Sequence, residues 1–183
     1  MSNYIKNLEG KMRIFKYLER RNNKQIIEKL RKNNPAKYNY LESKLKEVLG
    51  DKFINYDIVL DKIYYRDFKS NAEEFVCKKY LTYLHDDFEY DELKIKMYLE
   101  DRLFSINQTF SNTVNKRADL KMIQDILVQS IHIITNMDIA TLKKYLDNKM
   151  QNKNVDHGVE LQKNYQCRKI LNFIKEIEND KTV

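Results

Sequence analysis

ADLKMIQDILVQSIHIITN, residues 118–136, carries Leu120, Met122, Ile123, Ile126, Leu127, Ile131, Ile133 and Ile134 at helical spacing. Nothing in it alternates in twos, so the pattern predicts a helix rather than a strand. Its apolar residues cover most of the girth, which is the mark of a buried helix. This segment is therefore expected to form the centre of the fold.

The same period continues on both sides. Downstream, Asp138 is positioned to cap a shorter helix through Leu142, Tyr145 and Leu146, and the polar stretch 148–158 reads as a loop. A last helix uses Cys167, Ile170, Leu171, Ile174 and Ile177. Upstream, one helix runs from about Tyr90 to Phe104 or a little beyond. Another follows Ser70-Asn71-Ala72-Glu73, which has capping-box spacing. The run FINYDIVLDKIYYRDF, residues 53–68, is rich in aromatic and β-branched residues, and here helix and strand remain alternatives. Asn34-Pro35 is a strong helix start, Tyr38, Leu41, Leu45 and Val48 follow at helical spacing, and Gly50 is a stop. At the N-terminus, Ile5, Leu8, Met12 and Phe15 give a first helix over roughly 3–21. Arg21-Asn22-Asn23 reads as a break before a short second helix with Ile26, Ile27 and Leu30. The expected architecture is all-α, a single multi-helix globular domain of about eight helices. A basic N-terminal segment, 1–33, is expected beside a helical core, 34–183, and either packs on it or projects.

Composition removes several function classes. In 183 residues there are 3 Gly and 1 Pro, and Gly10, Gly50 and Gly158 are too scattered to build a phosphate-cradling loop. A P-loop ATPase and a dinucleotide-binding Rossmann site are therefore excluded. One third of the residues are charged, and the mean hydropathy of −0.72 argues against a membrane-spanning chain. The first 30 residues contain no signal-peptide core, and Cys77 and Cys167 lie far apart with no framework spacing. Together these predict a cytoplasmic protein with reduced thiols and no cofactor.

The net charge of +7 needs dissection. Lys outnumbers Arg 26 to 8, and Asn, Ile and Tyr are abundant, a bias that A+T-rich codons would produce by drift. Position is more informative than the total. Residues 1–50 hold 13 basic and 5 acidic residues, whereas 51–100 hold 8 and 12. Uniform drift does not produce such an asymmetry, and it points to a polyanionic partner. Lys6, Arg13 and Arg20 recur every seven residues and fall with Lys16 in one sector. Arg21, Lys24, Lys29, Arg31 and Lys32 extend the positive run. These nine residues are the candidate phosphate contacts, because a cation stripe along a helix releases counterions from a duplex. The competing reading is a solvated helix face.

Other constellations are weaker. The short second helix and the Pro35 helix, joined at Asn33-Asn34, have lengths compatible with a helix-turn-helix, with Lys37, Tyr38, Asn39, Lys44 and Lys46 facing a groove. HDDFEYDE, residues 85–92, gathers acids around one His, but acids at the start of a helix are stabilised by its dipole without a metal. His132 and His157 have no triad or zinc-site neighbours and read as surface residues. Tyr64, Tyr65, Tyr80, Tyr83 and Tyr98 read as packing residues of a core or interface.

DKFINYDIVLDKIYYRDF (51–68) and ELKIKMYLEDRLFSI (92–106) resemble the plasmid-partition protein family of Borrelia spirochaetes. The Lys, Asn, Ile and Tyr bias fits those A+T-rich genomes, and the likeness covers mainly residues 25–115. It implies a part in replicating or segregating low-copy plasmids beside a ParA-like ATPase. It carries over no catalytic residues. With no nucleotide loop of its own, the chain would bind plasmid DNA, adapt it to the ATPase, or regulate the system. The expectation is a non-enzymatic DNA-binding protein whose salt slope is about −4 to −5 for four to six phosphates. The alternative is a protein–protein interaction module, with the basic helix docked on an acidic partner or folded back in a homodimer. A third class, a metal-dependent nuclease using Asp86 and Asp87, is the least supported.

Overall fold

The computed structural model describes residues 3–50, 53, 55–112, 118–152 and 157–180, with side chains at 17–50, 53, 55–109, 119–152 and 157–180. The fold is all-α: among the described residues there are eight helices and no strand. The chain forms two compact units, Met1–Phe88 and Glu89–Val183. The segment 1–33, expected to stand beside a core at 34–183, is grouped with the three helices that follow it.

The first unit contains α1 (Asn3–Asn33), α2 (Pro35–Leu49), α3 (Tyr56–Tyr65) and α4 (Asn71–Leu84). α4 packs against the other three, and α1 also packs on α2. Their apolar faces meet through Leu41, Leu45 and Leu49 of α2, Val59 and Leu60 of α3, and Cys77, Tyr80 and Tyr83 of α4, all buried. Each such side chain contributes about 1.5–3 kcal/mol relative to exposure. The start of α2 is as the sequence predicts: Asn34 Oδ1 accepts from the Lys37 N–H at 3.1 Å, and Pro35 sits where no N–H is needed. At its end Gly50 has φ +59, and its N–H donates to the Lys46 carbonyl.

Of the open stretch 53–68, Tyr56–Tyr65 form a helix, and residue 54 lies outside the described residues. Asn55 Oδ1 accepts from the Asp57 N–H at 3.0 Å and starts α3, while Val59 and Leu60 bury its inner face. Asp57 in the first turn and Lys62 in the last complement the helix dipole. Arg66 then ends the helix in the left-handed region, φ 53 and ψ 34. Ser70 caps α4 as expected, its Oγ accepting from the Glu73 N–H at 3.1 Å. Glu73 reaches back one residue further than in a standard capping box, accepting from the Lys69 N–H at 2.7 Å.

One expectation fails here. The break at Arg21-Asn22-Asn23 does not occur, and α1 continues unbroken for 31 residues. Asn is a weak helix former, but Asn23 is buried at 3 % exposure and its Oδ1 is hydrogen-bonded to His85 Nε2 at 3.1 Å. That tertiary contact outweighs a local preference of a few tenths of a kcal/mol.

The second unit contains α5 (Tyr90–Asn112), α6 (Ala118–Asn136), α7 (Ile139–Gln151) and α8 (His157–Asn179). α6 packs on α5, α7 and α8 and is the centre of this unit. Ile123, Ile126, Leu127, Ile133 and Ile134 of α6 join Leu142, Leu146, Ile170 and Ile174 in one continuous apolar cluster. Tyr98 stacks on Phe173 at its margin, ring centroids 4.0 Å apart. α7 runs to Gln151, so the polar loop begins later than expected. Cys77 in the first unit and Cys167 in the second are both buried and free, and burial pushes each thiol up to about 11. Among the described residues no helix is long and apolar enough to cross a membrane.

Candidate nucleic-acid interface

α1 holds ten cations and three acids, a net +7 equal to that of the whole chain. Its length of about 46 Å at 1.5 Å per residue is matched by no other helix of the first unit. The described half of α1 has two faces. Asn23 is buried, Arg20, Ile26, Ile27 and Leu30 are half-buried, and these side chains face α2, α3 and α4. The opposite face exposes Arg21, Lys24, Lys29, Arg31 and Lys32.

The nine predicted contacts therefore separate. Lys6, Arg13 and Lys16 are on the helical backbone of α1, and their side chains lie outside the described ones. Arg20 belongs to the inner face: its Nη2 pairs with Asp61 Oδ1, and its Nε lies 3.9 Å from Asp57 Oδ1. Its carbonyl accepts from the Tyr56 hydroxyl at 2.9 Å. Arg20 ties α1 to α3, which its heptad register with Lys6 and Arg13 does not reveal. Arg31 is exposed and lies 5.9 Å from the Tyr38 ring centroid, a cation–π contact. Arg21, Lys24, Lys29 and Lys32 have no ion-pair partner among the described residues.

Lys29 stands apart from the other three. With Ile26 and Leu30 it lines an open cleft of about 360 Å³, whose other wall is Leu84, His85, Asp86 and Asp87. Two acidic residues across the cleft make Lys29 a poorer seat for phosphate than a cation with no acid nearby, by simple Coulomb repulsion. On the main face the single exposed acid among the described residues is Glu28, set between Lys24 and Lys32 at four-residue steps. The best-disposed cations are therefore Arg21, Lys24 and Lys32, followed by Arg31.

The helix-turn-helix expectation is not met. α1 and α2 are joined by Asn34 alone, shorter than the three- to four-residue turn of that motif. Lys37, expected to face a groove, is buried at 3 %, and its Nζ donates to the carbonyls of Asp86 at 2.5 Å and Phe88 at 3.3 Å. Lys44 and Lys46 pair with Glu47 and Glu42 along their own helix.

The remaining candidates fall as follows. Asp91 and Glu92 occupy the first turn of α5, and no group of acids, Cys and His able to hold a metal occurs among the described residues. His132 and His157 are exposed. Tyr80 and Tyr83 are core residues, but Tyr64 and Tyr65 are not, at 41 % and 66 % exposure. Their apolar rings at helical spacing gave no sign of this. They are the last two residues of α3, past its buried Val59 and Leu60. No family model, no curated protein and no solved structure matches the chain.

Proposed function

We propose that the chain is a non-enzymatic DNA-binding protein of plasmid partition or maintenance, acting beside a ParA-like ATPase. The observation that carries the DNA-binding part is the outer face of α1. Arg21, Lys24 and Lys32 are exposed there without an ion-pair partner among the described residues, on the helix whose charge equals that of the chain. Cations not neutralised by their own protein are the ones free to displace counterions from a phosphate backbone. Lys6 and Arg13 follow the register of Lys24 and Arg31 along the same helix and extend the proposed contact. The plasmid role rests on the resemblance of residues 51–68 and 92–106 alone.

The test is a mobility shift with duplex DNA at about 0.1 M salt. Replacing Arg21, Lys24 and Lys32 together by Glu should weaken binding at least tenfold while circular dichroism stays unchanged. Equal binding by the triple variant removes the assignment to this face. If the wild-type chain shows a flat salt response and no shift, yet co-purifies with the ATPase, the adaptor reading replaces it.

A further inference from the structure

α1 and the end of α4 flank the open cleft of about 360 Å³, close to the lower size of a ligand site. Ile26, Lys29, Leu30 and Asn33 line one side, at the spacing of a single helical stripe. Leu84, His85, Asp86 and Asp87 line the other. Three aliphatic residues and two acids thus meet one ammonium. Asp87 is exposed and has no ion-pair partner among the described residues, and Asp86 is half-buried beside it.

A second source of negative potential lies in the backbone. α4 ends at Leu84 with no basic residue in its last turn, so the partial negative charge of that helix end adds to the two acids. The wall is also held in place. His85 Nε2 is hydrogen-bonded to Asn23 Oδ1 of α1 at 3.1 Å. The buried Lys37 of α2 donates its Nζ to the carbonyls of Asp86 at 2.5 Å and Phe88 at 3.3 Å. Two helices therefore fix the backbone that carries Asp86 and Asp87. Fixed carboxylates beside aliphatic surface complement a cation on a hydrocarbon stem. A metal ion is a poor match, because no group of acids, Cys and His able to hold one occurs among the described residues.

We propose that this cleft is a docking slot for an arginine or lysine side chain of a partner protein. The stem lies on Ile26, Leu30 and Leu84, and the charged head lies on Asp86 and Asp87. The open side admits a side chain while the partner's backbone stays outside. A basic partner suits the two acids, and its charge is the opposite of what the outer face of α1 attracts. The slot goes beyond the reading of α1 as a phosphate-binding helix and requires no DNA.

The experiment is amide chemical-shift mapping of the full chain at low salt, with the peptide acetyl-Ala-Arg-Ala-amide as the probe. Shifts should centre on residues 26–33 and 84–87, with a dissociation constant on the order of 1 mM. Asp87→Asn should weaken binding about fivefold or more. Lys29→Met, which removes the opposing charge from the lining, should tighten it about threefold. Both residues are exposed, and opposite changes from the two are not what a loss of folding would give. A peptide with norleucine in place of arginine should not bind, and guanidinium ion, which lacks the stem, should bind at least about tenfold more weakly. No localised shifts with the arginine peptide, or equal affinity in wild type, Asp87→Asn and Lys29→Met, overturns the slot. Agmatine binding more tightly than the peptide overturns the protein partner in favour of a free amine. Self-association that Asp87→Asn abolishes overturns it in favour of a second copy of the chain. None of these readouts contains DNA, so their failure leaves the proposed function of α1 standing.

Discussion

The two units solve the problem of holding four helices together differently. In Glu89–Val183 the net charge is +1, and a continuous cluster of Ile and Leu side chains runs through α5, α6, α7 and α8. In Met1–Phe88 the net charge is +6, and the described part of α1 contributes no fully buried apolar side chain. That part of α1 is held instead by polar contacts, Arg20 with Asp57 and Asp61 and Asn23 with His85, and by half-buried Ile26, Ile27 and Leu30. It thus joins its unit by a partly polar face and leaves a cationic one exposed. α6 instead buries one side in apolar contacts and exposes Lys121, Asp125, Val128, Gln129 and His132 on the other. The difference teaches that one unit supplies packing and the other supplies charge.

The largest expected effect is in the second unit. Leu127→Ala removes a fully buried side chain at the centre of the apolar cluster and should cost about 2–5 kcal/mol in urea denaturation. A loss below about 1 kcal/mol would mean that α6 is not the centre of its unit.

Next comes the ionic core of the first unit. Glu73 is 5 % exposed and pairs with Lys62 at 2.5 Å. Burial by itself would raise its carboxyl, but the Lys62 hydrogen bond and the Lys69 N–H outweigh it and hold the group below the usual carboxylate range. A carboxyl depressed in the folded state stabilises at pH above its unfolded value near 4.3, and that contribution is lost as the pH falls through the folded value. Glu73→Gln should cost about 1–3 kcal/mol at pH 7, and it should flatten the acid loss of amide-exchange protection in α3 and α4. An acid profile identical to wild type would contradict this.

The smallest effect is predicted for Arg20. Its pair with Asp57 and Asp61 is more than a third exposed at each end, so Arg20→Gln should cost less than about 1 kcal/mol. Because its guanidinium is already engaged, DNA affinity should change by less than about threefold in the same mobility shift. A tenfold loss would return Arg20 to the contact face and blur the division between the two faces of α1.

These contrasts also mark how far the chain could be read as a string. The all-α outline followed from apolar spacing, with α6 the plainest case. The count of eight agrees only because the unbroken α1 merges two expected helices and α3 supplies one where helix and strand are alternatives in the sequence. The capping at Asn34, Ser70 and Asp138 was legible because a cap is local. At residues 53–68 the β-branched and aromatic content obscured a helix that Val59 and Leu60 bury on one side. The continuity of α1 was hidden because Asn23 is held by His85, 62 positions away. The same holds for Arg20 and Lys37, whose partners lie about 40 to 50 positions along the chain. Charge periodicity grouped Arg20 with Lys6 and Arg13, but Arg20 lies on the inner face of α1, since period alone cannot say which sector meets the body.

The central claim is that the outer face of α1 neutralises phosphates, and the salt dependence of duplex affinity tests it most directly. The measurement compares the slope of log affinity against log salt for the wild-type chain and for a variant with Arg21, Lys24 and Lys32 all changed to Gln. The account predicts a wild-type slope of about −4 to −5, and a slope shallower by about 3 in the variant. Equal slopes in the two proteins would contradict it.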